Sequence, residues 1–248
     1  MSAFAAEWIK LRTLRATRWP LALTALAAAA MAYLVGLSFA HADPATMRFD
    51  ATFANYYSLS FAQLALVVFA VTAVAGEYGS GTIRASLAAV PRRSTFYLAK
   101  LAALTLCAAT VALLSVAASF TAAQAGLAPR LRTPLALETA AGAWLYLVLI
   151  ALFAAGVAQA LRSTALSLGI LLPLFFLGSQ GLGNIPGVWH ATQFLPDQAG
   201  VTILHFFGDP ASPDYNRAFG PRGGLAILAA WSAAALVTGW LTLRHRDA

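Results

Sequence analysis

Gly76-Glu77-Tyr78-Gly79-Ser80-Gly81-Thr82-Ile83-Arg84, followed by Pro91-Arg92-Arg93 and by Lys100, is a short polar, cationic segment between two long apolar runs. Its chemistry is recognition, not bond-making. Gly76, Gly79 and Gly81 permit a tight reversal, and Ser80 or Thr82 can cap a new helix. Ile83, Leu87 and Val90 then fall at i, i+4 and i+7 on one apolar face, and Pro91 ends the helix. Arg84, Arg92 and Arg93 form a cationic rim around it. Such a helix seats in a groove on a soluble partner or packs on its own bundle with its arginines on lipid phosphates. The residues alone leave both readings open. Glu77, a carboxylate at the edge of an apolar run, should find a cation, with Arg84 or an N-terminal arginine the expected partner.

Catalytic chemistry finds no foothold. The phosphate-binding G-x-x-x-x-G-K-[ST], the zinc-binding H-E-x-x-H and the nucleophile-bearing G-x-S-x-G are missing from the sequence. His41, His190, His205 and His245 are scattered, and Cys107 is the single cysteine. No intrachain disulfide follows, and no cysteine metal cluster. We expect no catalytic, cofactor-binding or metal-binding residue on this chain.

The elements that position the segment must be membrane-spanning. The 248 residues are 60% hydrophobic and 10% charged, with mean hydropathy +0.73. Soluble domains carry about 25% charged residues, so this chain has too little charge for a water-facing shell. The basic balance, net charge +7, lies in connectors between apolar runs and not on one soluble face. Nucleic acid is therefore not an expected partner.

A helical span needs about 20 mostly apolar residues. Six segments qualify, at residues 20–40, 57–76, 101–125, 139–161, 164–183 and 223–243. The expected fold is an all-α membrane protein, one transmembrane domain over residues 1–248. Only Arg162-Ser163 separates the fourth and fifth segments, which predicts a tight hairpin. The long Ala/Leu-rich runs lack the alternation of a barrel. Six spans put both termini on one side. With that side cytoplasmic, eleven cations fall inside, among them Lys10, Arg12, Arg15, Arg18, Arg84, Arg92, Arg93, Lys100 and Arg162. Five fall outside: Arg48, Arg130, Arg132, Arg217 and Arg222. Both termini are therefore expected in the cytoplasm. Ala40-His41-Ala42 mimics a signal-peptidase site, but the apolar run before it is about twice a signal-peptide core of 7–15 residues. A retained first span is expected.

Residues 1–19 read as an interfacial segment, with Phe4, Trp8 and Leu11 on one helical stripe. Arg12 lies beside that stripe and Arg15 falls on it. Arg15 and Arg18 snorkel to headgroups. A plain basic anchor and a helix that touches a cytoplasmic partner are equally compatible with this pattern. The outer connector, residues 184–222, holds five prolines, with Trp189, Phe194, Phe206 and Phe207 among its aromatics. It reads as short helices dipping into the interface, a lid over a pathway or simple packing. Polar residues within the spans are sparse, among them Gln63, Gln124 and Gln159. That argues against an ion-coupled carrier, which keeps ionisable groups near mid-membrane. Ala- and Gly-rich first and third spans predict close helix packing.

Taken together, Glu7-Trp8-Ile9-Lys10-Leu11-Arg12, the Gly76–Arg84 stretch, Pro91-Arg92-Arg93, Ala99-Lys100 and Leu195-Pro196-Asp197-Gln198-Ala199-Gly200 resemble permease subunits of the ATP-binding-cassette type-2 transporter family, in their actinobacterial form. The resemblance implies a six-helix half-transporter with an N-terminal interfacial helix. It makes 77–100 the coupling segment and residues 82–90 a cytoplasmic coupling helix seated on a separate ATPase subunit. Glu77, Tyr78, Gly79, Thr82, Ile83, Arg84, Leu87, Pro91, Arg92 and Arg93 would carry that coupling. ATP and Mg would be bound by the partner, with none on this chain. Two permease chains, alike or different, and two ATPases would form an exporter of hydrophobic or amphipathic compounds such as drugs, antibiotics or lipids. A membrane anchor that recruits an ATPase without transporting is the alternative, and a stand-alone channel or carrier a further one.

Overall fold

The computed structural model describes residues 2–43, 49–179, 189–204 and 218–245, and among these every regular element is helical. In chain order they are α1 (Ala3–Thr13), α2 (Arg15–His41), α3 (Ala51–Tyr56), α4 (Leu59–Gly79), α5 (Thr82–Ala89), α6 (Arg93–Gly126), α7 (Leu137–Leu161), α8 (Thr164–Ser179), α9 (Trp189–Thr192), α10 (Pro196–Val201) and α11 (Pro221–His245). Five helical stretches are long and apolar enough to cross a membrane: α2, α3–α4 together, α6, α7 and α11. Six were expected. The remaining one, α8, is apolar but has 16 residues, about 24 Å of helix. The expected end of that span, residues 180–183, lies outside the described residues, as do 184–188 and 205–217 of the outer connector.

Several boundaries follow from local chemistry. Ser2 caps α1, its Oγ accepting from the Ala5 N–H at 3.3 Å. Leu14 turns extended (φ −73°, ψ 127°) and separates α1 from α2. Arg15 therefore opens α2 and does not continue the stripe of α1. At the reversal between α4 and α5, only Gly81 takes a left-handed conformation (φ 71°). Gly76 and Gly79 remain helical inside α4, and α5 has no side-chain cap, contrary to the expectation for Ser80 or Thr82. Ser80 instead shares a hydrogen bond with Thr82 (2.9 Å). Pro91 ends α5 by forcing Val90 out of the helical region. With no breaker after it, α6 starts eight residues earlier than its apolar run and reaches 34 residues. Arg162 takes the left-handed cap of α7 (φ 55°), which makes the sharp hairpin into α8.

The most buried long helices are α4 and α7; α2 and α11 are the least buried. Around that pair, α2 packs on α4 and α6, and α11 packs on α7. The outward faces carry Trp19, Leu26, Leu98, Leu113 and Val237, all exposed, as lipid-facing residues should be. Lipid offers no hydrophobic drive for helix association, so small residues set the approach. A Cβ on Gly36 of α2 would come within 2.6 Å of the Ala123 carbonyl of α6, and one on Gly126 within 2.6 Å of the Tyr33 carbonyl. This is the close packing expected of the first and third spans. The pair α7 and α11 uses the same device, with Gly156 against Ala235 and Gly239 against the Gly156 carbonyl.

Hydrogen bonds divide the bundle into two ends. One gathers α1, α5, the last turns of α4, α7 and α11, and the start of α6. The other gathers α3, the last turns of α6 and the connector after it. There Arg222, at the start of α11, pairs with Glu138 of α7. The two outermost described helices, α1 and the end of α11, thus lie at the same end. Within the outer connector, α10 is buried against α8 and α11. Its Asp197 is 1% exposed, and Gln198 donates to both the Asp197 carboxylate and the Gly178 carbonyl.

Candidate functional site

The densest ionisable cluster sits where four helices meet. Glu7 and Lys10 lie one turn apart on α1, and their side chains meet at 2.7 Å. Lys10 also reaches Glu77 at the end of α4 (3.0 Å) and donates to Ser86 Oγ of α5 (2.9 Å). Lys100 of α6 pairs with Glu77 at 2.7 Å and with Glu7 at 3.0 Å. Two ammonium groups and two carboxylates thus alternate around a ring, with no formal excess charge. The Lys100 and Glu7 side chains are only 5% and 7% exposed. Lys100 also lies 5.1 Å from the centre of the Phe96 ring. Isolated, either charge would be expensive to hold in so dry a place; alternation is what makes the burial possible. Burial by itself would raise the Glu7 pKa, but Lys100 and Lys10 outweigh it and hold the carboxyl below its usual value. Burial likewise works to lower the Lys10 pKa; Glu7 and Glu77 reverse this and raise it.

A second set of contacts ties the same corner to the end of the chain. Gln159 of α7 donates to the Tyr78 hydroxyl (2.6 Å), and Arg162 lies 5.2 Å from the centre of the Tyr78 ring. Arg162 also donates to the Thr242 carbonyl (2.8 Å). Arg93 donates to the carbonyls of Leu243 (2.6 Å) and Arg244 (3.2 Å). These are the carbonyls a helix C-terminus leaves unpaired, so both arginines act as caps on α11. Ile83, Phe96, Tyr97 and Leu243 form an apolar cluster beneath, with Tyr78, Leu87, Val90 and Trp240 packed on it.

The apolar face of α5 is therefore covered by the chain itself. Ile83 is 3% exposed, and Leu87 packs beside it. Thr82, Arg84, Ala85, Ala88, Ala89, Pro91 and Arg92 form the outward surface. Arg93 is divided off from that rim by its bonds to α11. Gly79, next to the reversal, is exposed.

Glu77 does find cations, but they are Lys10 and Lys100. Arg84 is exposed on the far side of α5, and no N-terminal arginine is among the partners of Glu77. On α1 the stripe divides: Leu11 is buried, whereas Phe4 is exposed and stacks on Trp8 at 6.2 Å. Arg12 lies 5.8 Å from the centre of the Trp8 ring. Sequence reasoning did not bring Glu7, Lys10 and Lys100 together with Glu77, nor Gln159 and Arg162 with Tyr78. The one local signal was the i, i+3 spacing of Glu7 and Lys10; the others depend on helices meeting.

Several long apolar helices arranged around a small-residue interface, with charge confined to the ends, define a multi-pass membrane protein. Residues 3–178 match the family model described as ABC-2 family transporter protein, and the chain belongs to that family. Members are membrane-embedded permease components, and the family implies an ATP-binding-cassette ATPase as partner. The matched stretch contains all four members of the charge ring and ends within α8. No curated protein matches the chain.

Proposed function

We propose that the chain is the membrane-spanning subunit of an ATP-driven exporter. It moves a hydrophobic or amphipathic compound across the cytoplasmic membrane, with ATP hydrolysed on a separate subunit. The observation that carries this reading is the ring of Glu7, Lys10, Glu77 and Lys100, which joins α1, α4 and α6 and holds α5 through the hydrogen bond from Lys10 to Ser86. A push on the outward surface of α5 reaches Lys10 through the Ser86 hydroxyl (2.9 Å) and from there passes to α4 and α6 through short ionic contacts, without passing through a flexible loop. In this reading α5 is the coupling helix and Arg84, Ala85, Ala88 and Arg92 meet the ATPase. Ile83, Leu87 and Tyr78 hold α5 to its own bundle.

The topology proposed with it has six crossings, α8 among them, and both termini in the cytoplasm. The surplus of Lys and Arg at the end that holds α1 and α5 supports that orientation. Two copies of the chain, or this chain and a second permease, complete the transporter with two ATPases.

The test is a pull-down followed by transport in vesicles. Tagged chain purified from its native host should bring an ATP-binding-cassette ATPase with it. Arg84→Glu together with Arg92→Glu should release that subunit while leaving membrane insertion intact. Glu77→Ala should retain it but separate ATP hydrolysis from efflux. Full ATPase recovery and full efflux in all three variants would defeat the proposal.

A further inference from the structure

A second feature lies at the opposite end of the bundle, outside the ring and its helices' contacts with α5. Between α6 and α7 a crevice of about 610 Å³ opens at the molecular surface. Its floor is marked by Trp144, whose indole N–H donates to the Ala109 carbonyl (2.9 Å). Val116, Phe120 and Ala141 form its walls, and Leu135 and Leu137 its rim. The lining is almost wholly apolar. Leu135 is 47% and Leu137 75% exposed.

The rim belongs to the connector of residues 127–136. Because it joins two helices long enough to span the membrane, it lies at headgroup level. Its shape is set from within: the Thr133 N–H donates to Gln124 Oε1 (3.1 Å), and Gln124 donates to Thr133 Oγ1 (3.2 Å). That fixes the chain immediately after Arg132. Arg130 and Arg132 are exposed, and neither has an acidic partner among the described residues. The nearest acid in sequence, Glu138, is taken by Arg222 at 2.5 Å.

We propose that this crevice holds an acyl chain of an anionic phospholipid, with its phosphate on Arg130 and Arg132. The argument is complementarity of two kinds at one depth. An apolar slot open to the side accepts a lipid tail, but any tail would do, since the surrounding bilayer is equally apolar. Selection comes from Arg130 and Arg132, exposed on the same connector that supplies the rim residue Leu135. Each contributes attraction to an anionic headgroup, and a guanidinium pair matches phosphate oxygens geometrically. The ligand is a resident lipid of the bilayer and not the transported compound.

The experiment uses the full-length chain in phosphatidylcholine vesicles and reads tryptophan quenching by brominated acyl chains. The Trp144 component is the fluorescence lost in Trp144→Phe. Brominated phosphatidylglycerol should quench it at lower mole fraction than brominated phosphatidylcholine. Arg130→Gln and Arg132→Gln should each weaken that preference about fivefold. Ala141→Phe, at an exposed position on the wall, should block quenching by both lipids. Equal quenching by the two lipids in the unaltered chain would overturn the proposal, as would a preference that survives both arginine substitutions. No quenching by either lipid would show that a protein surface, such as a second copy of this chain, fills the crevice, and would overturn it too.

Discussion

The two ends of the bundle are fastened by opposite chemistry. At the end holding α5, ionised side chains on α1, α4 and α6 meet at their tips. At the other end an exposed Arg222–Glu138 pair joins α11 to α7, but α3 and α6 are fastened by neutral, short contacts. Ser119 pairs with Ser58 (2.8 Å) and donates to the Asn55 carbonyl. Gln124 donates to Asn55 Oδ1 (2.8 Å), and Asn55 donates to Thr133 (3.3 Å). Neutral side chains bonded to one another and to the Asn55 carbonyl hold α3 and α6 in one register. Long lysines that share carboxylates hold helices together while permitting the pairs to exchange partners. The first is a rivet and the second a joint, which suits an end that meets a moving partner.

Breaking the joint should cost most. Lys100→Met leaves Glu7 and Glu77 facing each other with only Lys10 between them. Removing one member of a buried ionic set costs about 3–5 kcal/mol, read as a loss of stability in denaturant titration of the detergent-solubilised chain. Adding Glu77→Gln to Lys100→Met should recover part of that loss. Equal stability of Lys100→Met and the unaltered chain would mean that the ring contributes nothing.

At the neutral end, Ser119→Ala removes the donor to Asn55 and strands a buried hydroxyl on Ser58. A cost of about 1–3 kcal/mol follows, by the same titration. If it exceeds that of Lys100→Met, the ranking of the two ends is inverted. Tyr78→Phe keeps the ring beneath Arg162 and removes only the acceptor for Gln159. About 1 kcal/mol is expected; a much larger effect would place the hydroxyl, not the ring, at the centre of the corner.

Near neutrality, pH should change almost nothing at the joint. Glu7 titrates lower in the folded chain, so its contribution is complete above 4.5 and is lost as pH falls through its lowered value. Lys10 titrates higher, so its contribution is complete below 10.5 and is lost as pH rises through its raised value. Between these limits acrylamide quenching of Trp8, beside the ring on α1, should stay flat. Exposure should rise below pH 4.5, and Glu7→Gln should remove that acid step. A transition centred near pH 7 would contradict the paired state of Glu7 and Lys10.

Much of this architecture was legible in the residues. Composition and run length specified apolar helices, because a chain with so little charge has only lipid or its own helices to lie against. Pro91 marked the end of α5 and Arg162-Ser163 the hairpin, since both act through local backbone sterics. The Gly- and Ala-rich first and third runs announced close helix packing, where a missing Cβ is the requirement, but not which helices would meet. What stayed hidden was every relation between segments distant in the chain. Lys100 stands at the edge of an apolar run, and nothing near it in sequence says that Glu7 and Glu77 will meet it. Gln159 and Arg162 acquire meaning only when α7 ends beside Tyr78. The apolar stripe Ile83, Leu87, Val90 was visible as a stripe, but not what covers it; its neighbours, Phe96, Tyr97 and Leu243, come from two other helices. Periodicity and backbone preference are short-range, so they reach the sequence directly. Charge pairing and face-to-face packing depend on which helices become neighbours, and that was settled by the tertiary structure alone.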